Sequence, residues 1–157
     1  QPQPPFRAGP DLMRIRGCEF PEDRLYHPEF NIWIQHSAPG VVTLGATSFG
    51  AALAVEFVAF VPKPLGTEID PGRAAALLEL SKTMVSVRSP LKGRIIEHNA
   101  AAVADPTLIS SDPYGAGWLV RLTVEKDGDK AALIGGAAIR PAFEAAMDLD
   151  DFRRDLS

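Results

Sequence analysis

Three kinds of side chain in this 157-residue chain could do chemistry: one lysine at a sharp reversal, a single cysteine, and three histidines. Lys82 lies between two apolar runs, ALLEL before it and MVSV after it, with the small Ser81 and Thr83 as its neighbours. Two strand-like runs around so short a gap predict a tight hairpin with the lysine at its tip. A tip holds few buried contacts, so the side chain projects into solvent from a rigid base. A free amine on a rigid base is what an amide-linked swinging prosthetic arm requires. The same placement serves solubility alone, and the local pattern by itself favours that plainer use.

The other candidates are weaker. Cys18 is the only cysteine, so it cannot close an internal disulfide, and no CxxC or Cys/His cluster offers zinc spacing. A lone cysteine is most often a small buried hydrophobe; an accessory thiol that handles sulfur is the other use. His27, His36 and His98 have no metal-ligand spacing, and no metal is expected. Glu97 and His98 are adjacent, so on a strand they face opposite ways and make a poor acid–base pair. There is no Ser/His/Asp arrangement, no phosphate-cradling glycine loop and no carboxylate–His pattern. An independent enzyme is the least expected reading.

The elements that must position these residues are mostly strands. FNIWIQ alternates from Phe30, VVTLGA follows a Pro-Gly turn, and VEFVAFV is a short apolar run closed by Pro62 and Pro64. AALLELS, MVSVRSP and GRIIEHN follow, and WLVRLTVEKDGDKAALI reads as a hairpin turning at Asp127-Gly128. SFGAALA suggests a short helix capped by Ser48. Phe143, Met147 and Phe152 recur at helical spacing over about 140–155. Many short strands between Gly/Pro turns, with a helix at the end, predict a mostly β sandwich or flattened barrel. Residues 1–16, opening on QPQPPFRAGPD, are read as a flexible arm, and 17–157 as a single domain.

Composition narrows the class. Hydrophobic residues make up 46% and charged residues 23%, and the net charge is −4. No basic run is present, which argues against a nucleic-acid partner. No apolar stretch approaches the roughly 20 residues of a membrane span, and the N-terminus does not read as an intact signal peptide. The expected setting is the cytoplasm, with the chain a monomer.

Two segments carry a family resemblance. ELSKTMVSVRSPLKGRIIEHN, from Glu79 to Asn99, resembles the lipoylation hairpin of glycine-cleavage H-proteins: a Glu three residues before the modified Lys, a strand ending in Ser-Pro, then a Gly opening a strand that runs to an Asn. DPTLISSDPYGAGWLVRL, from Asp105 to Leu122, is similar to the family segment ending in Asp-Pro-Tyr-Gly-x-Gly-Trp, and VTLGATSF resembles its Val-Thr-x-Gly-x-Thr opening. The resemblance covers roughly Tyr26 to the C-terminus. It implies a lipoyl-domain-like fold, a barrel-sandwich hybrid of two antiparallel sheets with short helices and a C-terminal helix. It implies lipoic acid attached through an amide to Lys82 by a lipoate ligase or lipoyl transferase. Glu79, Ser81, Thr83 and Tyr114 would serve lipoylation recognition or an arm pocket, with Trp118 in the core. The carrier would shuttle between enzymes by thiol–disulfide exchange on the two lipoyl sulfurs. A biotinyl lysine would be flanked by Met on both sides, unlike Ser81 and Thr83.

The chain also departs from that pattern. Thr83-Met84-Val85 replaces small residues after the lysine, the Gly-Asp of the Pro62 region is missing, and Asn31 stands two before Trp33 where the family has His. Gly17-Cys18-Glu19-Phe20-Pro21-Glu22-Asp23 and Lys82-Thr83-Met84-Val85 resemble the lipoate-binding H-like proteins associated with heterodisulfide-reductase-like complexes. That resemblance implies sulfur-bound intermediates as cargo in cytoplasmic sulfur oxidation. The partners would be a heterodisulfide-reductase-like complex and a lipoamide dehydrogenase-like flavoprotein. The alternative is the glycine cleavage system, with aminomethyl cargo and with glycine decarboxylase and aminomethyltransferase as partners. A second alternative is an unmodified scaffold of the same fold.

Overall fold

The computed structural model describes residues 11–125 and 132–152. Two antiparallel sheets share one core. The larger has six strands in the order β3-β4-β5-β11-β10-β7, where β3 is Leu25–His27, β4 Ile32–Ala38, β5 Val41–Ala46, β7 Glu68–Ile69, β10 Gly93–His98 and β11 Val120–Val124. The smaller has the order β6-β8-β9, where β6 is Phe57–Pro62, β8 Ala74–Leu80 and β9 Met84–Arg88. Side chains that alternate along β4, β5, β10 and β11, such as Ile34, Leu44, Ile95 and Leu122, meet Phe60, Ala76, Leu78 and Val87 of the smaller sheet in one buried cluster. This is the mostly β, lipoyl-domain-like sandwich that the sequence predicts.

The larger sheet is covered on its other face as well. On β4, Ile32 and Ile34 enter the shared core while Trp33 between them enters a second cluster, and all three are 2% exposed. That second cluster joins β1 (Leu12–Ile15), β2 (Cys18–Pro21), helix α1 (Ser48–Ala54) and helix α4 (Ile139–Leu149). From α4 come Ile139, Phe143 and Met147, one helical face with no exposed surface. Phe143 packs its ring 4.4 Å from Phe20 and 5.7 Å from Tyr26.

Several sequence readings change here. Part of the expected flexible arm over 1–16 is strand: β1 pairs with β2 in register Ile15↔Cys18, and Ile15 is 1% exposed. The reversal is Arg16-Gly17, both at positive φ (50° and 85°), the two-residue turn that suits strand twist. Helix α1 is capped by Thr47, whose hydroxyl accepts the Gly50 N–H at 3.0 Å, and not by Ser48. The C-terminal helix stops at Leu149, because the chain turns at Asp151 with φ 54°. The expected turn at Asp127-Gly128 lies outside the described residues. Ile134, in the second arm of that hairpin, instead exchanges two backbone hydrogen bonds with Tyr26 of β3, at 2.8 and 2.9 Å. Two short helices, α2 (Ala100–Ala104) and α3 (Thr107–Ser111), were not legible as helices in the sequence.

Gly45 of β5 shows why VTLGAT needs its glycine. A Cβ there would fall inside the indole of Trp33, the residue paired with it on β4. Gly45→Ala is expected to cost about 1–3 kcal/mol, the usual range for overpacking a filled core. A urea melt in which the midpoint does not move would show that the indole has room to shift.

Candidate functional site

The β8–β9 hairpin presents Lys82 as its sequence predicts. Leu80 donates its N–H to the Thr83 carbonyl at 2.8 Å, which closes the reversal with Ser81 and Lys82 at the tip. Ser81, Lys82 and Thr83 are all exposed, and the strands below them pair in one register from Glu79↔Met84 to Ala76↔Val87, with a bulge before Ala74↔Arg88. The base is therefore a ladder held on β6 and the shared core, and the amine stands clear of it.

Alternation gives the hairpin two different faces. Leu78, Leu80, Val85 and Val87 line a cleft of about 400 Å³ between the hairpin, the β3–β4 turn and α1. Phe30, Ile32, Leu53 and Phe57 add apolar wall opposite the hairpin, with Glu29 at the exposed edge. Glu79 and Met84, paired with each other, lie outside this lining. The recognition candidate Glu79, exposed three residues before Lys82, thus occupies the face away from the cleft. The cleft's lip at α1 is strained: Val55 is 83% exposed at φ 67°, ψ −56°, and Glu56 N–H donates to the Ala54 carbonyl at 2.7 Å. This is a γ-turn at a β-branched residue, a conformation that costs on the order of 1–3 kcal/mol.

Tyr114 does not join this cleft. It lines a separate one, of about 460 Å³, together with Cys18, Ser48 and Pro113. Its hydroxyl accepts the Ser48 N–H at 2.9 Å and donates to the Glu19 carbonyl at 2.6 Å. Burial pushes the phenol well above its ordinary pKa. The Arg24 guanidinium reaches the Tyr114 carbonyl at 3.2 Å and lies 4.6 Å over the Trp33 ring. Tyr114 ties β2 to α1, and it stands apart from the cleft beside the Lys82 hairpin.

The rest of the Asp-Pro-Tyr-Gly-Ala-Gly-Trp run is also architectural. Ala116 N–H donates to the Asp112 carboxylate at 2.9 Å and Gly117 N–H to the Asp112 carbonyl at 2.8 Å. A Cβ at Gly117 would strike the Leu108 carbonyl, so only glycine fits. Asn99 accepts the Ala101 N–H at 3.1 Å to cap α2, and donates to the carbonyls of Ala116 and Trp118 at 2.7 and 2.8 Å. Trp118, expected in the core, is half-buried, with the Arg121 guanidinium 4.0 Å above its ring. Trp33 is the buried indole, and its N–H donates to the Pro113 carbonyl at 3.0 Å.

Cys18 is 3% exposed on β2, within the second cluster. Among the described residues no group of three or more His, Cys, Asp and Glu could hold a metal ion. Among the described residues, too, no helix is long and apolar enough to cross a membrane. The feature that sequence reasoning missed is the cleft. Its lining comes from four separate stretches, and the local signal was the exposed apolar Val85 close after the tip.

Comparison with known proteins agrees with this geometry. Residues 24–145 match the family model described as glycine cleavage H-protein. "Glycine cleavage system H protein 5" of Aquifex aeolicus is 39% identical over 71% of this chain and 77% of its own length. "Probable glycine cleavage system H protein 2" of Sulfurisphaera tokodaii is 33% identical over 81% of this chain and 87% of its own. The crystal structure of a glycine cleavage system H protein from Mycobacterium marinum superposes with a TM-score of 0.67 at 28% identity, covering 84% of this chain and 99% of that one.

Proposed function

This chain belongs to the glycine cleavage H-protein family, and on that footing we propose that Lys82 is its lipoyl-lysine and that the chain works as a carrier between partner enzymes. Members of the family carry lipoic acid covalently on a lysine and are carriers rather than catalysts. The observation that carries the assignment is the closed tip: an exposed amine on a rigid ladder, beside an apolar cleft, at the family's spacing before the DPYGAGW segment.

The residues present fit such an arm. Acylation removes the Lys82 charge, so the modified side chain becomes largely apolar and suited to the Leu80/Val85/Phe30 wall. When bound, the lipoyl dithiolane supplies reversible thiol–disulfide chemistry and a sulfur on which a passenger group rides. The chain itself positions the arm, gives it an apolar surface to rest on, and presents Glu79 on the opposite face for the lipoate ligase or lipoyl transferase. Ser81 and Thr83 keep the tip small so that the amine can enter that enzyme's site.

The relatives' names support glycine cleavage as the setting, with aminomethyl cargo and with glycine decarboxylase and aminomethyltransferase as clients. Sulfur oxidation is a second reading with an observation of its own. The cleft offers a protonated amine one carboxylate, Glu29, at its exposed edge, and the Arg88 guanidinium lies 6.0 Å over Phe30. Those surroundings suit an uncharged passenger better than a cationic one. In that reading the clients are a heterodisulfide-reductase-like complex and a lipoamide dehydrogenase-like flavoprotein.

Two measurements test the proposal. Intact mass of the chain, co-expressed with a lipoate ligase and lipoate, is expected to show one lipoyl increment. Its absence rejects the carrier role in favour of an unmodified scaffold. The lipoylated chain is then mixed with glycine decarboxylase and aminomethyltransferase. Glycine-dependent turnover at the level of a glycine-cleavage carrier establishes the first setting, and turnover at background leaves the sulfur reading.

A further inference from the structure

The β3–β4 turn sets a titratable ring against the cleft. His27, at the end of β3, is 8% exposed and stacks on Phe30, with ring centroids 3.8 Å apart and planes 18° from parallel. Its Nδ1 accepts the Phe30 backbone N–H at 3.2 Å. Phe30 in turn lines the cleft. The far side of the turn is pinned separately: Thr47 N–H donates to the Asn31 carbonyl at 3.0 Å and its hydroxyl to Asn31 Oδ1 at 3.2 Å. The Phe30 amide, by contrast, is held by the histidine.

We propose that His27 is a positioning residue for the cleft: as a neutral ring it holds Phe30 in place as one wall, and protonation at Nδ1 releases that wall. The chemistry is local. An imidazole accepts at Nδ1 only while its proton sits on Nε2; in the cation both nitrogens are donors, so Nδ1–H would face the Phe30 N–H. Two groups favour the cation: the Glu29 carboxylate, one residue before Phe30, and a hydrogen bond to the His27 backbone. Arg88 of β9 is the cation on the Phe30 ring, 6.0 Å from its centroid. Burial opposes the cation most, and holds the His27 pKa below its ordinary value. A depressed folded pKa means that the unfolded chain binds the proton first. The contribution to stability is therefore present above about pH 6.5 and is lost as pH falls below it. For function, the inference rests on the reading that the Lys82 arm shelters in this cleft.

The test separates the two claims. The chain without lipoate is followed by NMR from neutral to acid pH. The Phe30 amide proton and the methyl groups of Leu80 and Val87 are expected to move with the midpoint of the His27 ring. In His27→Asn, whose side-chain oxygen can still accept the amide but does not titrate, they are expected to stay still. Methyl signals that ignore the His27 titration, that move equally in H27N, or a ring that stays neutral until the chain unfolds, each overturn the proposal. The lipoylated chain is then reduced and alkylated, with free dihydrolipoamide as the reference at each pH. The relative rate is expected to rise several-fold on acidification. A flat relative rate beside moving methyl signals leaves His27's role standing and rejects the sheltering of the arm.

Discussion

Lys82→Arg, co-expressed with a lipoate ligase and lipoate, is expected to lose the whole lipoyl mass increment while keeping its fold. The loss is total because a guanidinium cannot serve as the amine of an amide-forming acyl transfer, although it keeps the charge and nearly the length of the side chain. Stability is expected to stay within about 0.5 kcal/mol of the parent, the usual range for exposed positions without special backbone or burial. Lys82 satisfies that description: it is exposed, and among the described residues it makes no hydrogen bond or ion pair. The combination is what makes the result decisive. A lost increment with a lowered melting temperature would leave misfolding as the cause, whereas a lost increment at constant melting temperature assigns the attachment site. An increment that survives in the variant moves the site to another lysine, such as Lys63 or Lys92.

Phe143→Ala is expected to have the largest effect on stability, a loss of about 3–5 kcal/mol in urea or thermal unfolding. The ring has no exposed surface, touches Phe20 and Tyr26, and sits mid-way along the buried face of α4. Removing it unfills the cluster that joins the β1–β2 hairpin, Trp33 and α4. It leaves the shared core of the two sheets almost untouched. Because the hairpin tip hangs on that shared core, a variant folded at low temperature should still be lipoylated at Lys82. A loss below about 1 kcal/mol would show that the second cluster is an accessory layer rather than part of the folding unit. Unchanged stability together with lost lipoylation would place Phe143 nearer the site than its packing allows.

Much of this was legible locally. VVTLGA is β5 residue for residue, and AALLELS, MVSVRSP and GRIIEHN become β8, β9 and β10 with shifts of a residue or so at their ends. A strand whose two faces meet different surroundings writes that difference into its residues, so period-2 patterns survive without any knowledge of the partner strand. The Lys82 tip was legible for the same reason: a hairpin is a local reversal, and its ends lie a few residues apart. Harder were elements whose reason for existing is distant. Residues 12–15 look unpatterned until β2 lies beside them and Phe20 finds Phe143. Ile134 looks like the return arm of a hairpin, yet Tyr26, far back in the chain, takes its hydrogen bonds. Helices α2 and α3 are too short to show periodicity, and depend on Asn99 and Asp112 for their ends.

The sequence alone determined the family, the lysine at the hairpin tip and the strands that support it, because each depends on residues close together in the chain. Only the tertiary structure decided what surrounds that lysine. It placed Tyr114 in a tie between β2 and α1, beside a second cleft, and set Glu79 on the face away from the first. It also built the cleft itself from four stretches, with Phe30 held against His27. Those facts depend on which distant residues share a volume, and packing is settled by the whole core at once rather than by any one segment.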